Sequence, residues 1–262
     1  MKAGRMIKLE HCQGQMLPQS LAILNTKAHW ERLARRWRTR LKEFKLNHPF
    51  HMRALRNDAP YNTWTQTKRN KFRDKLIKLA RDETWFVVGA AVPVRDYDDI
   101  VPQWLKDEDQ HPYFFCFRLF LDAVLHLLKT QVDPILGQKT KAYRKDREQV
   151  AFIFDEQEEF KQQALRTYYG LKDIRDTDDR LGPIAFGTRD TYAELQAADL
   201  MAYYGRRIVS HMIKGEAWRD PIERSFEERH NLMIYMYNRA GLTNWVDEVS
   251  AVREARLKAH KP

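Results

Sequence analysis

The sequence predicts an α/β protein, with helices packed on a mainly buried sheet, and three observations carry that prediction. Short continuous apolar runs stand at Trp85–Val92, Val150–Phe154 and Pro183–Gly187. Segments of helical period lie between and beyond them, and no internal repeat or low-complexity tract suggests an array. The ten glycines and ten prolines are scattered as punctuation, so one main domain is the default for 262 residues.

The first helix is read from Trp30, Leu33, Ala34, Trp37, Leu41 and Phe44, whose spacing puts an aromatic stripe on one side of Lys27–Leu46 and a basic face on the other. Trp30 and Trp37 are therefore expected in the core rather than as platforms for stacked bases. A second helix is expected over Thr67–Arg81, with Phe72, Leu76 and Leu79 inward. It leads into Trp85–Val92, a strand covered on both faces and closed by Pro93. Asp96, Asp98 and Asp99 follow in a loop or helix start. Pro112–Lys129 is the richest apolar stretch, but Arg118, Asp122 and His126 recur at steps of four, which marks an amphipathic helix and not a membrane span.

Val150–Phe154 reads as the next strand, ending abruptly in Asp155-Glu156-Gln157-Glu158-Glu159 before a helix that reaches Tyr169. A charged loop over Leu171–Leu181, a strand at Pro183–Gly187 and a helix over Tyr192–Met212 come after it. Two more helices, near Ile222–Asn238 and Asn244–Lys258, are expected to end the chain. The expected organisation is an α/β domain over residues 1–215 and a helical extension over 216–262 packed on it.

Composition narrows the function classes. With 43% hydrophobic residues the chain is no disordered polymer. Cys12 and Cys116 are too few for a disulfide-stapled secreted fold and lack zinc-site spacing, which fits a reducing cytoplasm. Met16–Leu24 is broken by Pro18, Gln19 and Ser20, so no secretory segment is expected there, and no membrane partner either. The net charge of +10 and pI near 9.5 favour a polyanionic partner. Between Lys27 and Lys45 eight basic residues face two acids, either a solvated surface or a set of phosphate contacts.

Two groups of residues carry chemistry. Asp155 stands at the carboxyl end of an apolar strand, where α/β proteins collect active sites, although the same carboxylate could cap the next helix. Gln196, Asp199 and Tyr203 fall at i, i+3 and i+7 and share one helix face, while Ala197, Ala198 and Ala202 allow close approach to a neighbour. An acid in such an Ala-rich turn must be paired, hydrogen-bonded or metal-bound; a salt bridge to Arg206 or another base is the plain alternative to a metal.

Phe154-Asp155-Glu156 at a strand end, the later Leu195-Gln196-Ala197-Ala198-Asp199-Leu200, and Phe50-His51-Met52 after a Trp-rich helix resemble the bacterial and phage family known as domain of unknown function 3800. The resemblance runs from about Met6 to Arg207. It implies a ribonuclease-H-like mixed sheet flanked by helices, here with extra C-terminal helices, and a divalent-metal nuclease site built from a first strand, a middle strand and a late helix. Asp155 and Asp199 match two of its acids, Gln196 a supporting hydrogen-bonder and His51 the family's histidine.

The first strand departs from the family, whose opening Asp-Glu-Ser-Gly string is absent. In Met6–Gly14 only Glu10 could stand for the missing aspartate; otherwise the true first strand is lost and the site incomplete. The resemblance implies Mg²⁺ or Mn²⁺ on Asp155 and Asp199 with Glu10 as third ligand, Glu156 orienting water and His51 carrying a proton. DNA or RNA would be the substrate, and a homo-oligomer or a defence-system partner is left open. The rival expectation is a non-catalytic nucleic-acid-binding or phage-defence subunit that keeps the fold with a degraded site.

Overall fold

The computed structural model describes residues 5–7, 19–109, 112–132, 149–156, 158–174, 180–217, 220, 222–223 and 232–259. Glu10 and Cys12 lie outside them. The strands are β1 (Arg5–Ile7), β2 (Gln19–Leu24), β3 (Phe86–Ala91), β4 (Val150–Asp155), β5 (Leu181–Gly187) and β6 (Leu232–Met236). The helices are α1 (Lys27–Glu43), α2 (Ala54–Asn57), α3 (Gln66–Glu83), α4 (Val94–Ile100), α5 (Gln103–Asp109), α6 (Pro112–Leu127), α7 (Glu158–Ile174), α8 (Ala193–Lys214) and α9 (Arg239–Ala259). A π-helical turn, Leu128–Val132, extends α6.

Two three-stranded ladders form a small mixed sheet. In one, β1, β4 and β5 are parallel in that order; in the other, β2 is antiparallel to β3 and β3 is parallel to β6. β1 passes within 8 Å of β2, so the ladders meet edge to edge. Parallel strands need helical crossovers, which coat the faces. All six residues of β3 are accordingly buried. Along it Val88 and Ala90 join a core with α6, β4 and α7, while Val87 joins a second core with α1, α3 and α8. The result is a helix–sheet–helix layering.

Local signals place the helix ends. Thr26 caps α1 by accepting from the N–H of His29, and Thr65 caps α3 by accepting from the N–H of Lys68. Gly215 ends α8 at φ +65°, where Glu216 N–H reaches back to the His211 carbonyl. Trp30 and Trp37 are buried as expected. On α6, Arg118, Asp122 and His126 form the less buried stripe of a helix whose other residues after Pro112 are core. Among the described residues no helix is long and apolar enough to cross a membrane.

Three expectations are corrected. The segment expected as a helix over Ile222–Asn238 contains β6, because Leu232, Met233, Ile234 and Tyr235 alternate between the two cores when laid against β3, and Met236 packs on Ala91 and Val209. Residues 216–262 are thus not a purely helical extension, since they complete the sheet. Gln19–Leu24 forms β2, a strand that sequence reading omitted. Finally, α7 continues to Ile174, into the stretch expected as loop.

Candidate functional site

α8 packs against α1 and α3 through a surface of small residues, with Ala197, Ala198 and Ala202 all buried. Three polar residues on that helix hold the chain between α1 and α3. Gln196 Oε1 accepts from Trp37 Nε1 at 3.0 Å and from the Phe50 N–H at 2.8 Å. Asp199 Oδ2 accepts from the Met52 N–H and from His51 Nδ1, each at 2.7 Å. Tyr203 receives a hydrogen bond from Arg56 Nη2 on its hydroxyl. The i, i+3, i+7 face read in the sequence therefore grips residues 50–56. Gln196 and Asp199 are buried, and donors from the backbone offset their desolvation.

Asp155 closes β4 opposite Gly187 of β5. Its carboxylate is 2.7 Å from Arg189 Nη2, and both side chains are mostly covered. Arg189 sits in the turn Thr188–Tyr192 that joins β5 to α8. The ring of Tyr192 lies directly over Gly187, so a side chain at 187 would collide with it and shift this turn. Gln196 Nε2 donates to the Arg189 carbonyl at 2.8 Å. Asp155 and Asp199 are thereby joined through Arg189, Gln196 and Phe50-His51.

Each candidate site residue named from the sequence has a place among the described residues, apart from Glu10. His51 and Asp199 meet directly. Gln196 links the His51 segment to the partner of Asp155. Glu156 stays at the margin, its N–H on the Gly187 carbonyl and its carboxylate 3.4 Å from Lys161 Nζ. Lys161 is held above its ordinary pKa by hydrogen bonds to Glu158 and then Glu156. Sequence reading missed Arg189, which stands alone in its turn with no periodic signal.

The basic run on α1 is partly spent inside the protein. Arg32 and Arg36 both bind the carboxylate of Glu83, and Arg40 binds Glu43. Burial opposes ionisation of Glu83, but the hydrogen bonds from the two arginines prevail and its pKa falls.

A different group of cations lines an open cavity of about 560 Å³ beside residues 50–56: Arg56, Arg69, Arg73 and Arg207. Arg69 and Arg73 are one turn apart on α3, and Tyr203 and Arg207 one turn apart on α8. That i, i+4 spacing is the only sequence signal for it.

Scans against protein-family models, curated proteins and solved structures gave no match.

The donor set does not suit a divalent cation as it stands. Among the described residues no three His, Cys, Asp or Glu side chains gather where an ion could sit. The Oδ2 atoms of both aspartates are engaged by protein donors. What the arrangement does chemically is fix the β5–α8 turn and residues 50–56 against one helix.

Proposed function

We propose that this chain is a nucleic-acid-binding protein of ribonuclease-H-like build whose acidic centre is closed by internal pairing, a non-catalytic relative of the nucleases it resembles. The observation that carries this reading is that Asp155 is matched to Arg189 and Asp199 to His51 and the Met52 N–H. Carboxylates poised for a cation are commonly held in open coordination, whereas these have cationic or N–H partners in place. The net charge of +10 supports a polyanionic partner.

A metal-dependent nuclease is the second reading, and one observation favours it. β1, β4 and β5 are parallel, so the carboxyl ends of the first strand and of the Asp155 strand lie on the same edge of the sheet, beside the turn leading into the Asp199 helix. That is the disposition the resemblance implies for its three acids. In that reading Asp155 and Asp199 would have to release Arg189 and His51 to hold Mg²⁺ or Mn²⁺, which would supply Lewis-acid activation of water there.

Mn²⁺ titration with a cleavage assay on single- and double-stranded DNA and RNA separates the two. The binding reading expects salt-sensitive oligonucleotide binding, no saturable Mn²⁺ site altered by Asp199→Asn, and no cleavage. Mn²⁺-dependent cleavage lost in both Asp155→Asn and Asp199→Asn would replace it with the nuclease reading.

A further inference from the structure

The arginine-lined cavity is built from elements that meet only in the folded chain. Arg56 comes from α2, Gln66, Arg69, Asn70 and Arg73 from α3, and Arg207 from α8. Among the described residues no carboxylate lines it, in a protein with 36 acidic residues. Like charges brought together without a counter-ion repel, so a cluster of this kind is costly unless an anion joins it.

The four cations differ in how far they are already matched. Arg207 is bound to Glu223 at 2.8 Å and Asp220 at 3.3 Å, and Arg73 to the neighbouring Asp74 at 3.0 Å. Arg56 and Arg69 have no carboxylate partner among the described residues. Arg56 donates to the Tyr203 hydroxyl, with its guanidinium 5.4 Å from that ring, and Arg69 Nη1 donates to the Arg56 carbonyl at 2.6 Å. The Nε of Arg69 is buried with no hydrogen-bond partner among the described residues. The two arginines without a counter-charge are thus positioned by neutral groups, which fix the guanidinium planes and leave their charge uncompensated.

We propose that this cavity is a phosphate-binding site, taking a phosphate group carried by a nucleotide or by a nucleic-acid strand. Guanidinium forks match phosphate oxygens in a bidentate way that a lysine cluster would not. Gln66 and Asn70 add neutral amide donors on the same face of α3. At about 560 Å³ the space has the size of a small-molecule site and admits a nucleotide unit. The site extends the nucleic-acid reading above, on which it rests only for the source of the phosphate.

The cavity and the acidic centre share a wall. Met52, whose N–H is held by Asp199, also lines the cavity, and so does Tyr203, one turn along the helix from Asp199. A phosphate seated on Arg56 and Arg69 would therefore lie next to the segment that carries His51.

The test is a calorimetric titration of the full chain with inorganic pyrophosphate, with a mononucleotide, and with a single-stranded oligonucleotide, for wild type, Arg56→Gln, Arg69→Gln and Arg73→Gln. Each variant is checked for native folding by circular dichroism, and Arg73→Gln, at a side chain bonded to its sequence neighbour Asp74, guards against loss of fold at Arg69. The expected result is saturable pyrophosphate binding weakened about tenfold or more in Arg56→Gln and Arg69→Gln, and, for the oligonucleotide, a salt slope shallower by about 0.7 for each arginine removed. Binding of pyrophosphate or mononucleotide but not of oligonucleotide would uphold the site, name a free phosphate as its source and sink the nucleic-acid reading. Oligonucleotide binding of equal strength in wild type and all folded variants would overturn the site while leaving that reading intact. Absence of saturable binding by every probe would overturn the site as well.

Discussion

Asp199 holds Met52 in place: a single carboxylate oxygen on α8 accepts the Met52 N–H at 2.7 Å and, at the same distance, His51 Nδ1. The bond to Met52 is buried, and it fixes a stretch with little regular structure of its own. Asp199→Ala leaves that N–H without an acceptor and should cost about 2–3 kcal/mol of stability. Asp199→Asn retains an oxygen for the N–H and should cost less than half as much. Urea unfolding in the absence of metal measures both. An acid whose main role was to share a cation with other acids would behave the opposite way, because removing one charge from an empty acidic cluster relieves repulsion.

Gln196 is the next test of the same clamp. Its oxygen serves Trp37 Nε1 and Phe50 N–H, and its amide serves the Arg189 carbonyl. Gln196→Leu keeps the volume but orphans two buried donors and one carbonyl. A loss of about 3 kcal/mol is expected. Because Trp37 is fully buried and one of its partners disappears, its fluorescence should also shift, which a purely global destabilisation would not produce in the folded state.

The helix face that makes these contacts was legible in the sequence, since Gln196, Asp199 and Tyr203 have helical spacing and sit among alanines. What it faces was not. Residues 50–56 precede it by more than half the chain, 146 to 148 positions for the bonded pairs, and packing of α1 and α3 on α8 brings them there. The sheet divides in the same manner. β3 announces itself as an apolar run because both of its faces are covered, and β4 and β5 as shorter apolar runs although each is less buried on one face. β2 begins with Gln19 and Ser20 after Pro18, and β6 reads Leu-Met-Ile-Tyr-Met, in which Leu and Met suit a helix and Ile and Tyr a strand, so pairing with β3 decides its state. Arg189 meets Asp155 through tertiary structure alone, and in the cavity only the Arg69–Arg73 spacing on α3 is local, while Arg56 and Arg207 join it through the fold.

Glu83 gives a pH signature. Despite burial, the hydrogen bonds from Arg32 and Arg36 depress its pKa below the ordinary glutamate value of 4.5. A depressed carboxyl pKa contributes stability that is fully present above the unfolded-state value and is lost as pH falls through the folded-state value. Glu83→Gln should therefore cost about 2 kcal/mol at pH 7, since both arginines are about half exposed and can be solvated. The cost should shrink steadily as pH is lowered below 4.5, in chemical-denaturation curves recorded across that range. A penalty that stayed constant with pH would mean that the charge of Glu83 contributes nothing.

Asp155 and Arg189 decide between the two readings of the acidic centre. They are 2.7 Å apart and mostly shielded from water, so a double-mutant cycle on Asp155→Asn and Arg189→Met should return a coupling of about 1–2 kcal/mol, above the range of exposed pairs. If the pairing is the resting purpose of Asp155, adding Mn²⁺ at saturating concentration leaves the coupling unchanged. If Asp155 is a ligand that Arg189 occupies only while no ion is bound, the cation competes for the carboxylate and the coupling collapses. In that event Arg189→Met should also bind Mn²⁺ more tightly than wild type, because the competitor is gone. The sign of that change is readable even in a protein that cleaves nothing, which makes the cycle a test of the site and not of the activity.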